Sequence, residues 1–413
     1  MVKTVVQKKP KLVNKEAEKY IWLLFLTVPV LAFVLALRYY KYKNLRKFIL
    51  FFGGLYGLTF VPIPNSDATR YAFYYSIHTY YTFQDYLFDI SNIFSETNSF
   101  PDIYIYTLFY VGNLVTNNEQ FFFFITGLIY FYVFSKLLNS FYDMDYQILK
   151  KVNGFFFLGI VFILIFSAGI SGVRWPLGLI VFLYGAYNLI TQNEIKYYFI
   201  AVASILCHFS LAAAVGALTL YYFVPFIRKP KFLILFAIFS FVAGSLFTSI
   251  IFGNADALGE VASSKLEDYT REGYVTKRAS RQVNWNWYVP IAHYGVYYFS
   301  IAATLFMWVM QSKFKTNKIT TNLLSFVSLM ISVSFIAGGV VDAMTNRYTL
   351  IVNFAAMAYL VYMGFLNPDS RRLKILKYIF APIILIKALV VLRTDLQTVS
   401  LFLITNPLLK LFF

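Results

Sequence analysis

Charged residues are scarce in this chain of 413 residues: Asp, Glu, Lys and Arg together supply 13%, against roughly 25% in soluble globular domains. With 59% hydrophobic and 21% aromatic residues and a mean hydropathy of +0.64, that scarcity excludes a soluble globular protein. There is one cysteine, Cys207, inside an apolar run, which excludes an internal disulfide and any Cys-based structural zinc site. The three histidines, His78, His208 and His293, are scattered. No HxxxH, HExxH or clustered carboxylate set accompanies them, so neither a metal nor another cofactor is expected. Acidic residues number 19 against 36 basic ones, a net charge of +17. Most of that excess lies in short segments between apolar runs, where it reads as membrane topology and not as nucleic-acid binding.

The apolar runs have the length of bilayer spans: residues 20–37, 48–63, 120–138, 154–171, 175–191, 232–251, 290–311, 319–341, 348–366 and 375–392. The expected fold is an all-α polytopic integral membrane protein with about ten transmembrane helices. Basic connectors at Arg38–Lys47, Lys136–Lys151, Arg228–Lys231, Lys313–Lys318 and Arg371–Lys377 should face the cytoplasm. The opposite side then receives the long loops 64–119 and 252–289 and the turns at Arg174 and at Asp342–Arg347. For that parity to hold, residues 103–116 should lie in the interface or dip back. Residues 197–226 read as a re-entrant pair of short helices turning near His208 and Ser210, facing a site, because irregular backbone at membrane depth must line protein or a wet cavity. The same parity puts the Lys-rich N-terminus outside, against the charge rule. The chain divides into a basic tail, 1–19, one transmembrane domain, 20–392, and an amphipathic interfacial tail, 393–413. No internal repeat is visible, and nothing marks a removable signal peptide, so the first apolar segment is expected to stay as a helix.

Charged residues near membrane depth are costly, so their positions point to function. If Asn65–Tyr71 opens a helix, Asp67, Arg70 and Tyr71 share one face. A helix cap with a local ion pair would account for them, as would a base or substrate anchor at Asp67 beside an anion ligand at Arg70. Arg174 sits at a turn between spans, with Gly172 suited to the turn and Pro176 to the first helical turn; snorkelling to headgroups is the competing explanation. His208 with Ser210 lies in the re-entrant pair, where a lone His can simply satisfy an interhelical hydrogen bond. Asp342, Asn346, Arg347 and Tyr348 open a late span, either as an interfacial cap or as part of a site. The loop carrying Lys265, Arg271, Lys277, Arg278 and Arg281 is basic on the side where basic loops are disfavoured. It rests on anionic headgroups or contacts an anionic ligand. Together these residues converge on an outward-facing anion site, and Arg is suited to phosphate oxygens. A diphosphate delivered within the bilayer would be attached to a lipid.

The order of motifs resembles the EpsG branch of the Wzy-type polysaccharide polymerases: Asp67 to Tyr71 as Asp-x-x-x-Tyr, Val173-Arg174-Trp175, Cys207-His208-Phe209-Ser210, and Arg347-Tyr348. Trp175 stands where that family usually has Gln, and Pro62 and Pro64 where glycines are common. The resemblance implies a GT-C-like glycosyltransferase of the bacterial cytoplasmic membrane, with its active site facing outside. It would join undecaprenyl-diphosphate-linked oligosaccharide repeat units, both donor and acceptor, into exopolysaccharide, capsule or O-antigen. The partners implied are the lipid-linked glycan, the bilayer, a chain-length regulator and a flippase, with no nucleic acid. Asp67, Arg174, His208 and Arg347 would be catalytic, with Asp67 or His208 as base; Arg70, Tyr71, Arg278, Arg281, Asn346 and Tyr348 would bind substrate. An O-antigen ligase uses the same chemistry and differs in product length. A flippase would want charge along a central path between both faces, where only Lys387 stands apart from the one-sided set. An O-acyltransferase would need an acyl-donor path that no feature supplies.

Overall fold

A computed structural model describes residues 15–64, 66–78, 80–93, 100–142, 152–164, 167–253, 285–340 and 342–398. Among them the regular structure is helical, with no strands.

The expected first crossing, residues 20–37, is instead a helical hairpin. Pro29 removes a backbone donor, and the preceding Val28 leaves helical geometry at φ −140°, ψ 75°. As a result α1 (Lys15–Thr27) stops and α2 (Pro29–Arg38) sets off in a new direction. Phe33 of α2 stacks on Phe52 at 4.2 Å, whereas Trp22 of α1 packs on Phe48 at 4.8 Å. The two therefore run in opposite senses along α3 (Lys47–Leu58). Asn44 Nδ2 donates to Glu18 Oε2 at 2.6 Å, and Lys47 pairs with the same carboxylate. The chain thus enters α1 at the end of the molecule where the Arg38–Lys47 connector lies. With the start of α1 and the connector at one end, the expected parity no longer sets these two basic stretches on opposite sides.

Three helices occupy the expected loop 64–119: α4 (Asp67–Ile77), α5 (Phe83–Ser91) and α6 (Ile103–Asn113). The 11 residues of α6 span ~16 Å, too short for a bilayer core of about 30 Å, in keeping with a segment that does not cross. Next, α7 (Glu119–Tyr142) packs on α3 through glycines. A Cβ at Gly57 would fall 2.0 Å from the Phe123 carbonyl oxygen, and one at Gly127 would fall 2.2 Å from that of Gly53. Such close backbone approach supplies much of the attraction between helices where lipid removes the hydrophobic term.

The chain continues through α8 (Val152–Leu164), α9 (Ser167–Ser171), α10 (Arg174–Gln192), α11 (Lys196–Cys207) and α12 (Ala212–Phe223). Gly185 lets α10 and α11 touch, since a Cβ there would lie 2.5 Å from the Ala201 nitrogen. Tyr198, early in α11, reaches Thr219 Oγ1 at 3.1 Å and stacks on Tyr222, late in α12. These two 12-residue helices are therefore an antiparallel hairpin, turning at His208 and a short 3₁₀ segment, Phe209–Leu211. The last helices are α13 (Pro230–Gly253), α14 (Tyr288–Val309), α15 (Lys318–Val340), α16 (Asp342–Leu366) and α17 (Arg371–Thr398). Most of α16 is enclosed by its neighbours.

Among the described residues, six helices are long and apolar enough to cross a membrane by length and composition: Glu119–Phe141, Gly154–Ser171, Tyr288–Val309, Lys318–Ala337, Arg347–Leu366 and Arg371–Thr398. This falls short of about ten: 20–37 is a hairpin of short helices, α3 is only 12 residues long, and the helices at 175–191 and 232–251 are not among the six. The last helix outruns its expected limit at 392. Val61 N donates to the Thr398 carbonyl at 2.7 Å and Tyr56 Oη to the buried Asp395 at 3.3 Å, so residues 393–398 belong to the helix and not to a tail. Basic connectors gather at the end opposite Arg174: Arg46 Nη1 donates to Asn139 at 2.6 Å, Ser325 Oγ to the Arg228 carbonyl at 3.2 Å, and Lys315 N to Asn367 at 2.8 Å.

Two outcomes follow from this packing. In a Cys207→Ser background, Lys19→Cys and Lys43→Cys should react with a membrane-impermeant maleimide from the same side of sealed vesicles; reaction from opposite sides would restore a single crossing. Gly57→Leu should cost about 1–3 kcal/mol or more by overpacking, read as a lower melting temperature in detergent.

Candidate functional site

The site forms where the first turns of α4, α6, α10 and α16 meet the tip of the α11–α12 hairpin. Its centre is Asp102, the residue before α6, whose side chain is fully buried. One carboxylate oxygen accepts from Arg174 Nη1, and the other accepts from the Phe209 backbone N–H at 2.8 Å. Burial raises the Asp102 carboxyl above the ordinary aspartate value, and the Arg174 charge and the Phe209 N–H oppose that rise. Arg174 is itself buried. Its Nε donates to Tyr71 Oη at 2.9 Å, and its guanidinium lies 4.8 Å from the Phe100 ring centre and 5.4 Å from that of Tyr71.

The backbone delivers Arg174 through a strained turn. Val173 has φ 45° and ψ −66°, and Arg174 N donates to the Gly172 carbonyl at 2.5 Å, a γ-turn of the rare positive-φ kind. The left-handed position thus falls on a buried β-branched residue rather than on Gly172, where the sequence reading put the turn. Such strain costs of order 1–3 kcal/mol and persists where the surroundings over-determine it.

At the hairpin tip, the Ser210 N–H donates to His208 Nδ1 at 3.2 Å, and Ser210 Oγ lies 2.8 Å from the same nitrogen. A backbone N–H can only donate, so Nδ1 is the acceptor, and this assigns the proton of the neutral ring to Nε2. Arg347 Nη1 reaches Ser210 Oγ at 3.4 Å, and Tyr348 Oη donates to the Ser210 carbonyl at 2.7 Å. Trp175 meets His208 edge-on at 5.7 Å, and the Arg347 guanidinium lies 5.5 Å from the Trp175 ring centre. Among the described residues no carboxylate lies within ion-pair distance of Arg347.

Tyr71, Arg174, His208, Arg347 and Tyr348 thus come together. Asp67 and Arg70 stand at the rim, paired at 3.1 Å with side chains 66% and 51% exposed, and Ser66 caps the helix they open. Arg70 also lies over Phe100, at 5.6 Å, so it borders the buried centre without entering it. The α16 backbone carries Asn346 at this end. Arg278 and Arg281 lie outside the described residues. The carboxylate that sequence reasoning missed is Asp102, and with it Phe100; Trp175, noted only as a departure from the family motif, stands in the site as well. The available signal was a Pro-Asp pair opening the apolar run at residue 103, a pattern that looks like an ordinary helix start. Among the described residues no group of three or more His, Cys, Asp or Glu converges as a metal site.

A model of the EpsG family matches residues 45–402, which takes in every element of this site. No curated protein and no solved structure matches the chain.

Breaking a buried ion pair from one side leaves a charge uncompensated, at a cost of about 3–5 kcal/mol. Asp102→Ala and Arg174→Ala should each lower the melting temperature of the purified protein sharply. The double variant should lose less than the sum, and strict additivity in that cycle would show that the pair is not coupled.

Proposed function

The chain belongs to the EpsG family, a family of Wzy-type polysaccharide polymerases, and from that premise we propose the reaction it performs. A hydroxyl of one undecaprenyl-diphosphate-linked repeat unit attacks the anomeric carbon of the glycan on a second carrier. A carbon–oxygen bond forms, the bond to the diphosphate breaks, the hydroxyl loses its proton, and negative charge collects on undecaprenyl diphosphate as it leaves. This is a GT-C-like transfer at the outer face of a bacterial cytoplasmic membrane, with a flippase delivering substrate and a chain-length regulator acting on product.

The observation that carries the reading is Arg347, a guanidinium without a carboxylate partner among the described residues. It is fixed between Ser210 and Trp175 beside the first turn of α10. The diphosphate would meet that charge beside the positive end of the α10 dipole, where the Trp175 N–H is the first-turn donor left once Gly172 takes the Arg174 N–H and Pro176 supplies none. Arg174 takes a different role from the one its motif suggests: with Asp102 neutralising it, it orders the site and leaves Arg347 as the principal counter-charge. His208, with its proton on Nε2, donates a hydrogen bond to a phosphate or sugar oxygen. The base is then Asp67, exposed at the rim and held by Arg70. Arg70, Arg278, Arg281 and Asn346 would orient phosphates and sugar, while Tyr71 and Tyr348 hold Arg174 and the hairpin tip.

Concentration of this charge at one end of the bundle favours transfer over transport. The test is purified protein in liposomes with a synthetic polyprenyl-diphosphate oligosaccharide. Products should form a ladder spaced by whole repeat units without any nucleotide sugar. Arg347→Gln should slow that ladder by about 100-fold or more with an unchanged melting temperature; a variant polymerising at the parental rate would remove Arg347 from the mechanism. Movement of unaltered lipid across the vesicle would move the assignment to a transporter.

A further inference from the structure

Away from that site, α14 and α17 meet at two irregularities. Residues Ile291–Gly295 form a π-helical turn in α14, a feature that often accompanies function. Across from it, Pro382 interrupts the backbone ladder of α17 and leaves the Tyr378 carbonyl without its helical donor. The two helices touch where a Cβ on Gly295 would lie 3.0 Å from Ile383 Cγ2. One turn on from Ile383, on the same face, is Lys387. It is half-buried within the span Arg371–Thr398, and among the described residues its ammonium has no hydrogen-bond or ion-pair partner. His293, in the π-turn and stacked on Trp285 at 5.0 Å and 9°, lies within electrostatic reach of it. Nearer the helix end, Arg393 Nη1 donates to Tyr288 Oη at 3.1 Å.

Snorkelling does not explain Lys387. The nearer end of α17 is Thr398, ~16 Å away against ~24 Å to Arg371. Helical side chains tilt toward the helix N-terminus, which directs Lys387 away from the nearer surface. An unpaired cation at membrane depth beside two backbone irregularities calls for an anion, and an anion at that depth arrives on a lipid.

We infer that Lys387, with His293 and Arg393, forms a second lipid-phosphate site in the groove between α14 and α17. The phosphate belongs either to a polyprenyl carrier or to an anionic phospholipid. The inference rests on the polymerase reading only in placing Tyr288 and Thr398 at the outer side.

Native mass spectrometry of the full-length protein tests it without any turnover, so its outcome is independent of polymerisation. The probes are undecaprenyl phosphate, phosphatidylglycerol and phosphatidylcholine, added singly to delipidated protein. Lys387→Met should lower retention of the phosphate probe by about tenfold, the effect of one lost charged contact, while Lys387→Arg retains it and phosphatidylcholine does not respond. Loss confined to undecaprenyl phosphate assigns the groove to the polyprenyl carrier; equal loss of both anionic lipids assigns it to phospholipid headgroups. Parental retention of both by Lys387→Met, or by Lys387→Gln where the Met variant is not recovered, overturns the inference.

Discussion

A single carboxylate organises the functional end of this protein. Asp102 has no free oxygen: Arg174 takes one and the Phe209 N–H takes the other. Three segments remote in sequence, the start of α6, the start of α10 and the hairpin tip, are thereby joined through one side chain. Desolvating two charges is expensive, and a well-packed apolar replacement of such a pair is often as stable. What apolar residues could not do is fix the direction of a guanidinium or satisfy a backbone N–H released by a helix break. The strain at Val173 fits the same view, because the γ-turn points Arg174 inward and packing around it holds the turn.

The pairing divides the arginines by role. Arg174 is buried, neutralised and enclosed by the Tyr71 and Phe100 rings. Arg70 is exposed and tied to Asp67 across an ion pair that solvent weakens. Arg347 alone of the three combines partial enclosure with a charge that no described carboxylate pairs with directly, Asp102 acting on it only through space. An arriving anion therefore meets most of its attraction at Arg347, although all three arginines look alike as isolated charges in an apolar sequence.

Much of this was legible in the residues, and the exceptions have identifiable physics. Long apolar runs mark helices, and the polar group Cys207–Ser210 inside one run marks the hairpin break, because a break must show itself as a change of composition. The run at 20–37 concealed its turn: Pro29 is itself compatible with a crossing, and what reverses the chain is the Val28 dihedral angles together with the distant contact of Glu18 with Lys47. Asp102 escapes notice in the sequence, while Asp67 stands out, for a related reason. Asp67 belongs to a recognisable motif and shares a helix face with Tyr71, but it stands one turn earlier, beyond the packed layer. Asp102 reads as a helix cap, and its importance comes from Arg174, 72 positions away.

The hairpin tip shows what remains for chemistry once structural demands are met. Ending two helices inside a bundle releases backbone groups that need partners. The Phe209 N–H finds Asp102, the Ser210 carbonyl finds Tyr348, and the Ser210 N–H finds His208 Nδ1. Asp102 and Tyr348 are therefore accounted for by architecture, and one face of the imidazole is committed as well. The polar capacity left over is small: His208 Nε2, the remaining donors of Arg347, and the Trp175 N–H at the start of α10. All of these donate and none accepts, which is the complement of a phosphate and the wrong complement for taking a proton from a hydroxyl. In the proposed reaction a base would then come from the rim, where, among the described residues, Asp67 stands exposed beside Arg70.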